Sequence, residues 1–175
     1  MRRVSGRGPG VNLEVKARDP SPADTGRACL RLGAREVGTL RQRDTYFHAR
    51  GGRLKLREDL GSGTAELIAY ERPDDEGVRT SSYVRVPVPA AADLSAALEA
   101  ALGVVVVVEK QRRLLLYENV RIHLDDVAGL GTFVELESVL SAPDGSESDA
   151  ERDAFRRVRT ALGMDVRETV AGSYA

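Results

Sequence analysis

The stretch Arg53-Leu54-Lys55-Leu56-Arg57 puts three cations on one side of an extended chain and two leucines on the other. A solvated sheet face mixes its signs, because like charges that face one another across or along strands repel. Three cations stacked on one strand therefore call for an anion that they share. Just upstream, Thr45-Tyr46-Phe47-His48 leads through Gly51-Gly52 into this strand, which is a hairpin signal. Downstream, Gly61-Ser62-Gly63 makes a turn into a strand from Ala65 to Arg72, broken by Pro73.

The same alternation recurs in both directions. Near the N-terminus, Leu13, Val15 and Ala17 share one face of the run from Val11 to Arg18, and Asn12, Glu14, Lys16 and Arg18 share the other. Asp19-Pro20 ends it. Ser21 is placed as an N-cap with Pro22 at the first helical position, predicting a helix to about Ala34. Strands are expected at Tyr83 to Val88, Val104 to Leu116, Val120 to Val127 and Thr132 to Leu140, with a helix from Ala91 to Leu102 that Gly103 caps. Ser148 and Glu151 form a capping-box pattern ahead of a last helix carrying Ala154, Phe155, Val158, Ala161 and Leu162, closed by Gly163. The fold class is α+β: about eight strands joined largely by hairpins, with three flanking helices. An open sheet of eight strands leaves edges. Closing it into an antiparallel barrel removes them and turns one face into a lumen that can hold a small ligand.

The polar faces give that lumen its chemistry. Arg53, Lys55 and Arg57 are joined by Arg72, Arg85, Lys110, Arg112 and Arg121, while Glu14, Asp125, Glu135 and Glu137 supply carboxylates. Of 26 basic residues only Lys16, Lys55 and Lys110 are lysines, and all three fall on these faces, so the compact ammonium is placed there against a strong arginine background. Arginine and lysine suit the non-bridging oxygens of a polyphosphate. Magnesium asks for hard oxygens, usually one or two carboxylates plus phosphate oxygens and water. A triphosphate carrying a divalent metal satisfies both sets of charges at once. His123 shares the inward face, whereas His48 reads as a strand end, Tyr46 and Tyr70 as core, and Arg113 as solvated on the opposite face from Arg112.

Composition narrows the class. A net charge of −1 argues against a general binder of nucleic acid or acidic membranes. The single cysteine, Cys29, excludes an intrachain disulfide and reads as a packing residue. No apolar run is long enough for a membrane-spanning helix, and a cytoplasmic location is expected. Residues 1–10 read as a flexible tail and 11–175 as one domain.

These motifs resemble a known family. Glu14-Val15-Lys16, Asp44-Thr45-Tyr46-Phe47, the Arg53–Arg57 strand, Glu66-Leu67-Ile68-Ala69-Tyr70-Glu71-Arg72-Pro73, Glu109-Lys110-Gln111-Arg112-Arg113, Arg121-Ile122-His123-Leu124-Asp125 and Gly129-Leu130-Gly131-Thr132-Phe133-Val134-Glu135-Leu136-Glu137 are similar to those of the CYTH family, the triphosphate tunnel metalloenzymes. The likeness is greatest to the bacterial class IV adenylyl cyclase branch. It implies an eight-stranded tunnel, a triphosphate substrate such as ATP, and Mg²⁺ or Mn²⁺. It further implies phosphate binding by Lys16, Arg53, Lys55, Arg57, Arg72, Arg85, Lys110, Arg112 and Arg121, and metal binding by Glu14, Asp125, Glu135 and Glu137. Catalysis would fall to Glu14, Lys16, Lys55, Arg121 and Glu135; a homodimer is allowed for. One departure stands out. The family opens with E-x-E-x-K, and Asn12 occupies the place of the first glutamate, keeping a carbonyl oxygen but no charge.

Overall fold

A computed structural model describes residues 10–71, 77–142, 145–171 and 174. Eight strands close into an antiparallel barrel: β1 (Gly10–Arg18), β2 (Arg35–Phe47), β3 (Arg53–Asp59), β4 (Ala65–Glu71), β5 (Arg79–Pro87), β6 (Val104–Tyr117), β7 (Val120–Val127) and β8 (Gly131–Val139). Around the barrel the order is β1-β5-β4-β3-β2-β6-β7-β8, with β8 returning to β1. Three helices accompany it: α1 (Pro22–Leu32), α2 (Ala91–Leu102) and α3 (Asp149–Ala161). The tail expected over residues 1–10 lies almost wholly outside the described residues, as does Arg72.

The barrel is apolar on the outside and charged within. On β1, β6, β7 and β8 the outward residues Val15, Leu115, Ile122, Leu124, Val134 and Leu136 are buried under α1 and α3, against Cys29, Phe155 and Val158. Helix α2 covers the β2–β3–β4 side, where Leu94 and Leu98 pack on Phe47, Leu56 and Ala65. This burial drives closure, because each strand can hide one face only beneath a helix and must turn the other inward.

Three sequence expectations change. β2 begins at Arg35, well before Thr45, and pairs with β6 from Arg35↔Leu116 to Phe47↔Val104. Its early part, with Glu36, Arg41 and Arg43 outward, hides its strand character because neither face is apolar; pairing with long, valine- and leucine-rich β6 imposes the conformation. β5 likewise starts at Arg79, ahead of Tyr83. Ser21 holds the N-cap position of α1 without a side-chain cap. The carboxylate of Asp19 instead ties the turn to the helix, accepting from the Ser21 N–H at 3.3 Å and the Thr25 hydroxyl at 2.9 Å. The capping box of α3 is present, with Ser148 N–H donating to Glu151 at 2.9 Å and Glu151 N–H donating back to Ser148 Oγ at 3.3 Å.

Beyond α3 the chain returns to the barrel. Arg167 clamps this segment, donating to Asp19 at 2.8 Å, to Thr25 Oγ1 at 3.0 Å and to the Leu162 carbonyl at 3.0 Å. Thr169 bridges Ala17, and Val170 N–H donates to the Lys16 carbonyl at 2.9 Å, so the segment runs beside the end of β1.

Candidate functional site

The lumen holds a cavity of about 390 Å³. Its lining brings together Glu14, Lys16, Lys55, Arg57, Arg85, Lys110, Arg112, Arg121, Glu135 and Glu137, ten of the residues picked from alternation. Asn12, Gln42, His123, Tyr46, Tyr70, Tyr83 and Tyr174 also line it. Seven cations and three carboxylates thus share one space: all three carboxylates come from β1 and β8, and four of the cations come from β3 and β6.

The cationic wall comes from β2, β3 and β6 and is organised by Asp44, which is fully buried. Arg57 donates to both its oxygens at 2.7 Å, Lys55 to Oδ2 at 3.0 Å and Lys110 to Oδ2 at 3.2 Å. Register explains the convergence: Asp44 lies opposite Arg57 on β3 and Val108 on β6, so cations on both neighbouring strands reach inward to it. Burial pushes the Asp44 carboxyl upward in pKa, but Arg57, Lys55 and Lys110 outweigh it and hold the group well below the ordinary carboxylate range. Burial lowers Lys55 and takes Lys110 well below the usual lysine value, with neighbouring arginines adding to the effect. Asp44 sits behind the cavity surface, so the cations it holds keep donors directed into the lumen.

Arg112 is fixed in the same manner. It forms a fork with Asp125 at 2.7 and 2.6 Å and reaches Glu135 at 3.0 Å. Both Asp125 oxygens are engaged, since the Tyr174 hydroxyl donates to Oδ2 at 2.9 Å, and Asp125 lies outside the cavity lining. In this geometry it is the counter-charge to Arg112. Arg53 is also outside the lining; its guanidinium lies 5.9 Å from the Tyr70 ring centroid.

The carboxylate wall comes from β1, β7 and β8. Glu137 lies opposite Glu14, and Glu135 opposite Lys16. Glu135 contacts Lys16 at 3.5 Å and His123 Nδ1 at 3.4 Å. Burial would raise its pKa, but Lys16, the His123 hydrogen bond and Arg112 together hold it well below the ordinary value. Burial, and then the Arg112 charge, lower the His123 pKa from its ordinary value. Glu137 accepts from Arg121 at 3.1 Å and from Asn12 Nδ2. Glu14 accepts from Arg79 Nε at 3.2 Å, and Arg79 also donates to the Val170 carbonyl at 3.2 Å.

Asn12 Oδ1 is buried with no hydrogen-bond partner, and it lies on the same face of β1 as Glu14. A buried acceptor left unpaired is costly. Among the described residues no three His, Cys, Asp or Glu side chains converge as a ready-made metal cage. The oxygen donors present, Glu14, Glu135, Glu137 and Asn12 Oδ1, suit a hard divalent ion that completes its shell with phosphate oxygens and water.

Sequence reasoning passed over Asp44, Arg79 and Tyr174. Asp44 stood in a quoted motif and shares its strand face with Tyr46; extending β2 upstream by alternation would have placed it inward. Tyr174 had no signal, since a tail residue shows no periodicity. Tyr46 and Tyr70, read as core, line the cavity, whereas His48 is exposed. Arg113 pairs outside the barrel with Glu36 at 2.7 Å. Cys29 is fully buried, and burial pushes its thiol up to about 11, which suits packing and not nucleophilic attack.

A closed antiparallel barrel with cations and carboxylates lining one lumen defines a charged-lumen barrel protein. The chain belongs to the CYTH domain family, whose model matches residues 11–174. Its fold is shared with the PH1012 protein from Pyrococcus horikoshii OT3 (TM-score 0.78, 23% identity, covering 93% of this chain and 96% of that one). It is shared with HpAC1 from Hippeastrum, an adenylyl cyclase candidate described as having a dominant triphosphatase activity (TM-score 0.60, 13% identity, covering 95% and 92%). The RNA triphosphatase Pct1 of Schizosaccharomyces pombe is a more distant likeness (TM-score 0.52, 10% identity, covering 90% and 82%). No curated protein matches the chain. No helix among the described residues is long and apolar enough to cross a membrane.

Proposed function

We propose that this protein is a divalent-metal-dependent enzyme that binds the triphosphate of ATP or another organic triphosphate in the barrel and cleaves one of its P–O bonds. The observation that carries the reading is the sorting of the lumen: a cationic wall held by Asp44 faces a carboxylate wall across a cavity of about 390 Å³. Lys55, Arg57, Lys110 and Arg112 would grip non-bridging oxygens from one side, their positions fixed before substrate arrives. Lys16, Arg85 and Arg121 would complete the cradle. Glu14, Glu135, Glu137 and the Asn12 carbonyl would hold Mg²⁺ or Mn²⁺, which supplies charge neutralisation at the reacting phosphate. His123, hydrogen-bonded to Glu135, would stand ready to accept a proton from an attacking oxygen. Names of structural neighbours span adenylyl cyclase and triphosphatase, and both reactions use the same grip.

Product analysis tests the reading. ATP, inorganic tripolyphosphate and thiamine triphosphate are each incubated with protein and Mg²⁺ or Mn²⁺. Release of cyclic AMP and pyrophosphate identifies a cyclase, and release of orthophosphate a hydrolase. Turnover is expected to vanish with chelator and return with metal. No product from any of the three, in either metal, would overturn the enzymatic assignment.

Asn12 favours a second reading, in which the barrel binds a polyphosphate or an organic diphosphate without the family's usual turnover. If a lost metal ligand is the cause, Asn12→Glu raises turnover at fixed metal concentration; no change removes that explanation.

A further inference from the structure

The two ends of the barrel differ. At the end where β2 finishes and β8 begins, an apolar cluster lies inside the barrel: Tyr46, Val108, Val127 and Phe133 are buried together there, with Val170 and Tyr174 packed on them. The Tyr174 ring lies 5.0 Å from the Phe133 ring, 3.8 Å from Lys16 Nζ and 5.2 Å from Lys110 Nζ, and its hydroxyl is tied to Asp125 at 2.9 Å. Accessibility along the lumen follows the same axis. Side-chain exposure is 2% at Lys110 and 4% at Lys16 beside Tyr174, but 30% at both Arg85 and Arg121 toward the opposite end.

We propose that the barrel is a blind cup, floored by Tyr174, that accepts a polyphosphate end-on and so requires one phosphate terminus free of any organic group. The inference rests on the triphosphate reading above and adds a direction to it. The free terminal phosphate would enter first and come to rest at Lys16 and Lys110, against the tyrosine ring. The organic group at the other terminus would stay at the open end. A chain capped at both termini has no way to seat, because its leading cap meets Tyr174 and Phe133 before the phosphates reach the inner lysines.

The test compares two probes of equal phosphate number, measured by calorimetry on the full chain with Mg²⁺. One is an imido-bridged adenosine triphosphate; the other is the same bridged chain esterified by adenosine at both ends. Wild type is expected to bind the singly capped probe more than about 10-fold tighter. Part of that gap reflects the extra charge of a free terminus, so the decisive reading is how the gap responds to the floor. Tyr174→Ala should shrink it by about 10-fold or more, while Tyr174→Phe, which keeps the ring, should preserve it. A chain ending at residue 171 provides an independent removal of the floor should Tyr174→Ala fold poorly. Equal binding of the two probes by wild type, or a gap that Tyr174→Ala and the shortened chain both leave unchanged, overturns the blind-cup proposal and leaves the triphosphate reading standing. Failure of wild type to bind even the singly capped probe instead removes the triphosphate reading, and this inference with it.

Discussion

The cationic wall and the carboxylate wall of the lumen are built on different principles. On the cationic wall every charge has a partner sunk behind the cavity surface: Asp44 holds Lys55, Arg57 and Lys110, and Asp125 holds Arg112. On the carboxylate wall Glu14 is likewise held from behind by Arg79, but Glu135 and Glu137 meet partners within the cavity itself: Lys16 and Arg112 for Glu135, Arg121 for Glu137. One wall is therefore set before any ligand arrives. The other is held by contacts that a ligand can exchange, and it carries the unpaired Asn12 carbonyl. A site that binds a polyanion tightly needs its cations in place at no cost in reorganisation, whereas a metal that comes and goes with substrate needs acids whose partners can be released.

The strongest way to break this contrast is to remove the post behind the cationic wall. Asp44→Ala leaves two lysines and an arginine buried without compensation, and should cost about 3–5 kcal/mol of unfolding free energy in a denaturant titration. An effect under about 1 kcal/mol would mean that the wall does not depend on Asp44. Acid should produce the same loss reversibly. Because the folded-state pKa of Asp44 is depressed, its stabilising contribution is fully present above the ordinary carboxylate range, near pH 4, and drains away as pH falls through the lower folded value. Stability measured from pH 7 downward should therefore fall below about pH 4, and more gently in Asp44→Asn.

Opposite responses on the two walls would sharpen the comparison further. Lys55→Ala should weaken triphosphate binding about 10- to 100-fold whether or not metal is present, since one charge-assisted contact is lost. Glu135→Gln should act with opposite signs in the two conditions. Freed of their counter-charge, Lys16 and Arg112 should bind triphosphate a few-fold more tightly in chelator, while the metal concentration needed for turnover rises. If Glu135→Gln weakened binding equally with and without metal, the wall would be no metal site.

These contrasts were only partly legible in advance. Strict alternation in β1, β3, β7 and β8 exposed the inward charges because a helix-covered strand must be apolar on its other face, and Leu56, Ile122, Leu124 and Leu136 announce that face plainly. The early part of β2 has no such face, so its start at Arg35 and the inward position of Asp44 went unread. Asp125 was seen as inward and acidic, but whether it would serve a metal or an arginine depended on Arg112 standing opposite it in the β6–β7 register.

Sequence by itself determined that ionic residues alternate with apolar ones along β1, β3, β7 and β8, and that all three lysines fall on polar strand positions, because residue type and a period of two suffice for that. Only the tertiary structure decided which carboxylates lie behind the cations and which lie in the cavity, and that Tyr174 closes one end. Those outcomes depend on the cross-strand register of a closed barrel and on where the chain goes after α3. Both are set by contacts between residues far apart in sequence, and local pattern carries no record of them.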